Sequence, residues 1–152
     1  MQAAQLDERV LSVLRLKAPG VWSISPDATV YEAIERMAEK GVGALLVLRE
    51  GKLLGIVSER DYARKVILRN KHSQETRVHE IMTAPALSVG PDHSIHECMR
   101  LMTENRVRHL PVVEAESVVG IVSIGDLVNW IIRSQEQTIH QLHNYITGAY
   151  PA

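Results

Sequence analysis

The chain has 152 residues, a formal net charge of −1 and 45% hydrophobic residues, enough to bury the core of one ordinary domain or two small ones. So balanced a charge argues against a nucleic-acid binder working by bulk charge. No apolar run has the length of a membrane span, and Asp7 and Glu8 stand where a signal peptide would be basic. The single cysteine, Cys98, cannot form a disulfide within the chain, which fits a reducing cytoplasm. With no Phe and 4% aromatic residues, the core must be aliphatic.

Leu6, Val10, Val13 and Leu14 recur at helical spacing until Pro19-Gly20, so residues 1–17 read as an N-terminal helix or linker. Val21 to Ser25 is strand-like and runs into a Pro26-Asp27 turn. Thr29 to Lys40 places Val30, Ala33, Ile34 and Met37 on one helical stripe, closed by Gly41 and Gly43. Ala44 to Leu48 and Leu53 to Val57 form two apolar runs around Arg49-Glu50-Gly51-Lys52, a hairpin. A helix opening at Asp61 is expected to reach about Arg69.

A shift of 65 residues lays Val13 to Ile67 on Val78 to Ile132 without a gap. Pro26-Asp27 meets Pro91-Asp92, the stripe becomes Ile95, Cys98, Met99 and Met102, and Gly55 to Ser58 meets Gly120 to Ser123. The chain is therefore expected to be α+β, one β-α-β-β-α unit duplicated and packed about an approximate two-fold axis. Residues 18–69 form the first repeat, 70–77 a polar linker, 78–132 the second repeat, and 133–152 a helical tail with Ile139, Leu142 and Ile146 on one face.

Each repeat closes on a strand end, a Ser and an Asp three residues on: Ser58 and Asp61, then Ser123 and Asp126. Ser-x-x-Asp is also a helix capping box, and Thr29-x-x-Glu32 and Ser94-x-x-Glu97 show the same spacing with no ligand to explain it. Arg60, Arg64 and Lys65 follow the first copy, where the second has uncharged Gly125, Asn129 and Trp130. Cys98 sits on the apolar stripe with His96 one face away, a core thiol rather than a ligand, and His140 and His143 lack companions for a metal set. No phosphate-binding Gly-rich loop and no nucleophile elbow is present. Neither an enzyme nor a metal site is expected.

Two tandem units of this pattern, with Arg106 to Val113 as the second strand of repeat two and Ser58-Glu59-Arg60-Asp61-Tyr62 at the close of repeat one, resemble a pair of CBS domains. Small stand-alone CBS-pair proteins of bacteria and plant organelles are the nearest likeness. The resemblance implies a regulatory protein that binds AMP, ADP, ATP, S-adenosylmethionine or NAD in clefts between the repeats. It further implies a homodimer that reports energy or redox state to a partner protein. Carried over by position, Ser58 with Asp61 and Ser123 with Asp126 hold ribose, while Ser23, Gly43 and Ala44 in one cleft, and Ser88, Val107, Arg108 and His109 in the other, lie against adenine. The family pairs each closing loop with the opposite repeat's strands, so Asp61 is expected to face Arg108 and His109, with Arg60 favouring phosphate there. Leu46 departs from the family's proline, which repeat two keeps as Pro111. A ligand-independent interaction module and a nucleotide-consuming enzyme are the alternatives.

Overall fold

The computed structural model describes residues 8–17 and 20–147; the expected apolar position Leu6 and the Pro19 stop lie outside them. In order come α1 (Val10–Leu16), β1 (Ser23–Ile24), α2 (Val30–Lys40), β2 (Ala44–Arg49), β3 (Lys52–Ser58) and α3 (Glu59–Lys65). A single 3₁₀ turn (Ile67–Arg69) follows, then α4 (Val78–Ile81), α5 (Ile95–Asn105), β4 (His109–Glu114), β5 (Ser117–Ser123) and α6 (Ile124–Thr147). This is an α+β chain of two tandem repeats.

The local chemistry is duplicated. Thr29 caps α2 and Ser94 caps α5, each accepting from the amide three residues on and each completed by a glutamate, Glu32 or Glu97. Both helices end on a left-handed residue, Gly41 at φ 66° and Arg106 at φ 54°, and the next amide, Val42 or Val107, donates to Met37 or Met102 at 3.0 Å. Both hairpins turn through two residues of positive φ, Glu50-Gly51 and Ala115-Glu116, which matches the right-handed twist of the strands.

β1 runs parallel to β2, with Ser23 opposite Leu46, and β2 pairs antiparallel with β3. The second sheet holds only β4 and β5. Pro111 explains the difference. In repeat one the Leu46 amide donates to Trp22 at 3.1 Å, whereas a proline has no N–H to offer. The first strand of repeat two therefore shrinks to a single bridge, Val89 opposite Val112.

Two features depart from the sequence expectation. The helix expected from Asp61 to Arg69 opens earlier and stops earlier: Ser58 caps it, Val66 at φ −116° forms its C-cap, and Asn70 closes the following turn at φ 56°. The ungapped register also fails at the start of each repeat. Val78 and His79 donate to Ala28 and Pro26, and the bonds of the same kind 65 residues later, to His93 and Pro91, come from Val10 and Leu11. Val10 to Val78 is 68 positions, so repeat one carries three extra residues between the start of its leading helix and β1, and they lie in α1, which is three residues longer than α4.

The chain clusters into two compact units. One holds residues 20–90 and 110–121, and its core is aliphatic, built on Val30, Ala33, Met37, Leu45, Val57 and Ile81. The other holds α1 with residues 91–109 and the chain from Val122 onward, and it buries Val10, Val13, Ile95, Cys98, Met102 and Leu127. The leading helix of each repeat thus belongs with the helices of the other: α4 contacts α3, and α1 contacts α6.

Gly55 sits at a tight backbone approach. Ile56 and Thr83 exchange hydrogen bonds at 3.0 and 2.9 Å, and a Cβ on Gly55 would lie 2.5 Å from the Thr83 carbonyl oxygen. Gly55→Ala should lower unfolding stability by roughly 1–3 kcal/mol. Gly125→Ala, which meets only the Ser123 hydroxyl at 3.6 Å inside a helix, should be neutral or stabilising. Urea denaturation of the two variants checks the contrast, and equal effects would refute it.

Candidate functional site

β3 delivers Ser58 in extended geometry, φ −130° and ψ 164°, to the start of α3. Its hydroxyl accepts from the Asp61 amide at 3.2 Å. The carboxylate answers: Asp61 Oδ2 accepts from the Ser58 amide at 2.9 Å and from the Ser58 hydroxyl at 3.1 Å. Oδ1 meets Lys65 Nζ at 3.0 Å, and the same ammonium donates to the Ile81 carbonyl at 2.9 Å, at the end of α4. Asp61 is buried, at 8% exposure. A carboxylate so placed needs such partners, because burying one unpaired costs several kcal/mol. Glu59 donates to Gly43 at 3.0 Å and Ala44 lies opposite Ser58, so the start of β2 reaches this corner too.

The second corner repeats the frame with a different cation. Asp126 Oδ2 accepts from the Ser123 amide at 2.8 Å, and the Asp126 amide donates to the Ser123 hydroxyl at 3.1 Å. Ile124 donates to Arg108 at 2.9 Å, which brings the start of β4 alongside. Trp130 occupies the position of Lys65, and Lys17 supplies the charge instead, its Nζ 2.8 Å from Asp126 Oδ2. The extra residues of α1 carry Lys17 there. The Asp126 side chain keeps 25% of its surface exposed, against 11% for Asp61.

The electrostatics follow from these contacts. Burial pushes the Asp126 carboxyl up, but the Lys17 ammonium and the Ser123 amide and hydroxyl outweigh it and hold the group below its ordinary value. His109 is pushed down chiefly by burial and further by Lys17 and Arg108, with Asp126 pulling only partly the other way. Burial raises the Cys98 thiol to about 11, so it is inert at neutral pH. Among the described residues no three His, Cys, Asp or Glu side chains converge as a metal-holding group.

Of the residues singled out in the sequence, the structure gathers Ser58, Asp61, Gly43 and Ala44 at one corner and Ser123, Asp126, Arg108 and His109 at the other. Ser23 lies on β1 two positions along the neighbouring strand from Ala44, Arg60 is exposed on the first turn of α3, and Ser88 adjoins the Val89 bridge. Val107 caps the end of α5. Lys65 is engaged by Asp61 and Ile81 and so is not a spare phosphate ligand. Lys17 is the residue the sequence pattern does not announce; its one signal is that Trp130 leaves Asp126 without a lysine on its own helix.

Strand-to-helix corners of one design, set in a duplicated β-α-β-β-α frame, define a tandem-repeat α+β module. The chain belongs to the CBS domain family, whose model matches residues 16–68 and 78–133. It is 40% identical over 139 residues to the mitochondrial CBS domain-containing protein CBSX3 of Arabidopsis thaliana, covering 88% of this chain and 68% of that protein. A CBS-domain protein of Burkholderia ambifaria has a solved structure similar at a TM-score of 0.82 and 48% identity, covering 84% of this chain and 96% of the other. A hexameric CBS-CP12 protein of bloom-forming cyanobacteria is similar at a TM-score of 0.73 and 28% identity, covering 81% and 67%.

The depressed His109 value has a sign. Folding favours its neutral form, so its contribution is whole above its ordinary 6.5 and is lost as pH falls through the lower folded value. Asp126 adds a second loss only below its ordinary 3.8. Stability in urea should therefore decline as pH falls from neutral through and below the ordinary histidine value of 6.5, and His109→Gln should flatten that decline. An unchanged slope in the variant would place its origin elsewhere.

Proposed function

We propose that the chain is a regulatory module that binds an adenine nucleotide at its Ser-x-x-Asp corners and passes the occupied state to a partner protein. AMP is the first choice, with ADP, ATP or NAD as the same chemistry extended. The observation that supports this most is the state of the two carboxylates. Each is held rigid at the end of a strand by a backbone amide, beside a lysine, and a carboxylate has acceptor sites enough to take both hydroxyls of a ribose in addition. Asp126 is the better placed, since its side chain is the more exposed, 25% against 11% for Asp61. An exposed arginine stands at each corner, Arg60 on α3 and Arg108 at the start of β4, and guanidinium groups suit phosphate.

The module is read as non-catalytic: CBS-domain relatives are regulatory proteins in general, and the corners present bound acceptors rather than an activated nucleophile. Self-association as a homodimer is part of the reading, and the hexameric state of the CBS-CP12 protein is one precedent for assembly. That precedent also favours the rival view, an interaction module that needs no ligand.

A thermal-shift panel of AMP, ADP, ATP, NAD and adenosine separates these. AMP at a hundredfold excess over its dissociation constant should stabilise the chain by about 2.7 kcal/mol. Asp126→Asn should weaken binding by roughly 10- to 100-fold, the worth of a charged hydrogen bond, with circular dichroism confirming that the fold persists. No stabilisation by any nucleotide would favour the ligand-free module, and conversion of the nucleotide, read by chromatography, would restore the enzyme.

A further inference from the structure

The C-terminal half of α6 presents most of its described residues to solvent. From Gln135 to His143 every residue but Thr138 is exposed, whereas Leu127, earlier on the same helix, is fully buried. A stretch of about a dozen residues is marginal as an isolated helix in water, and its Gln, Thr, His and Asn residues have only middling helix preference. Its apolar residues are not scattered. Val128, Ile132, Gln135, Ile139, Leu142 and Ile146 follow one another at steps of four, three, four, three and four, the seam spacing of a two-stranded coiled coil. The five apolar members are 41%, 47%, 65%, 57% and 81% exposed.

We infer that this seam is the docking surface for a second copy of the chain, helix α6 against helix α6. The inference rests on the proposed self-association only for its partner and adds the surface and its residues. The stripe is two positions wide in seven, which fits a like helix better than a sheet or a broad groove. A membrane surface is disfavoured, because residues 134–147 contain no Lys or Arg to meet anionic lipid. Glu136 is the sole formal charge among those residues at neutral pH, so two copies approach with little repulsion. Aliphatic side chains at these exposures present roughly 500 Å² per copy, and two copies together reach the ~1,000 Å² that a specific interface needs. Gln135, the one polar member of the seam, fixes the register.

Sedimentation velocity on the full chain, across a wide dilution range, tests the inference with far-UV circular dichroism alongside. The wild type should sediment as a dimer and lose helix on dilution. Ile139→Glu with Leu142→Glu should raise the dissociation constant at least ~100-fold, and Gln137→Glu, off the seam, should not. These positions are exposed, so the fold survives the change. A double variant that stays dimeric would overturn the seam while leaving self-association intact. A wild type that is monomeric throughout, including one whose α6 is covered only by a different protein, would overturn both.

Discussion

A carboxylate placed at the first turn of a helix and drawn out of water must be met by donors, and in this chain the two corners meet that requirement partly in the same way and partly differently. The shared part is the reciprocal cap, in which serine and aspartate exchange hydrogen bonds through each other's backbone amides. The different part is the lysine. Asp61 takes Lys65 from its own helix, and Asp126 takes Lys17 from the leading helix, 109 positions away. Helix geometry supplies the first pair at i and i+4; only tertiary structure supplies the second.

Those lysines tie the leading helices to the corners. Lys65 bridges Asp61 to the last carbonyl of α4, and Lys17 is the residue that follows α1. In the proposed reading a ribose that draws on the same carboxylates competes with, or adds to, a contact that positions a leading helix. Ligand occupancy then has a physical route to the rest of the chain. A ligand shifts an equilibrium only by its differential affinity for the two arrangements, and a lysine that must move or stay is a concrete source of that difference.

Much of this was legible in the residues. The stripe Val30, Ala33 and Met37, its second copy Ile95, Cys98 and Met102, the capping boxes at Thr29 and Ser94 and both hairpins follow from spacing alone, because each is a local preference repeated. The residues set Leu46 apart from Pro111, but the consequence falls in repeat two, where a proline with no N–H weakens the strand pairing. What the sequence hid is what depends on distance or on slack. The three extra residues of α1 are invisible because Val13 and Val78 align as well by type as Val10 and Val78 do. The early end of α3 at Val66 breaks no pattern of apolar residues. Lys65 looked like one of three cations on a helix until Asp61 and Ile81 claimed it, and nothing in the spacing singled out Lys17.

The central claim is that the two aspartate corners are where the ligand is held. Carboxyl-carbon NMR shifts, assigned through Asp61→Asn and Asp126→Asn, report on those atoms directly during a titration with AMP. The account predicts saturable shifts at Asp126, and at Asp61 if both corners fill, with the other carboxylates still. Shifts confined to carboxylates outside the corners, such as Glu32, Glu35 and Glu39 on α2, would contradict it.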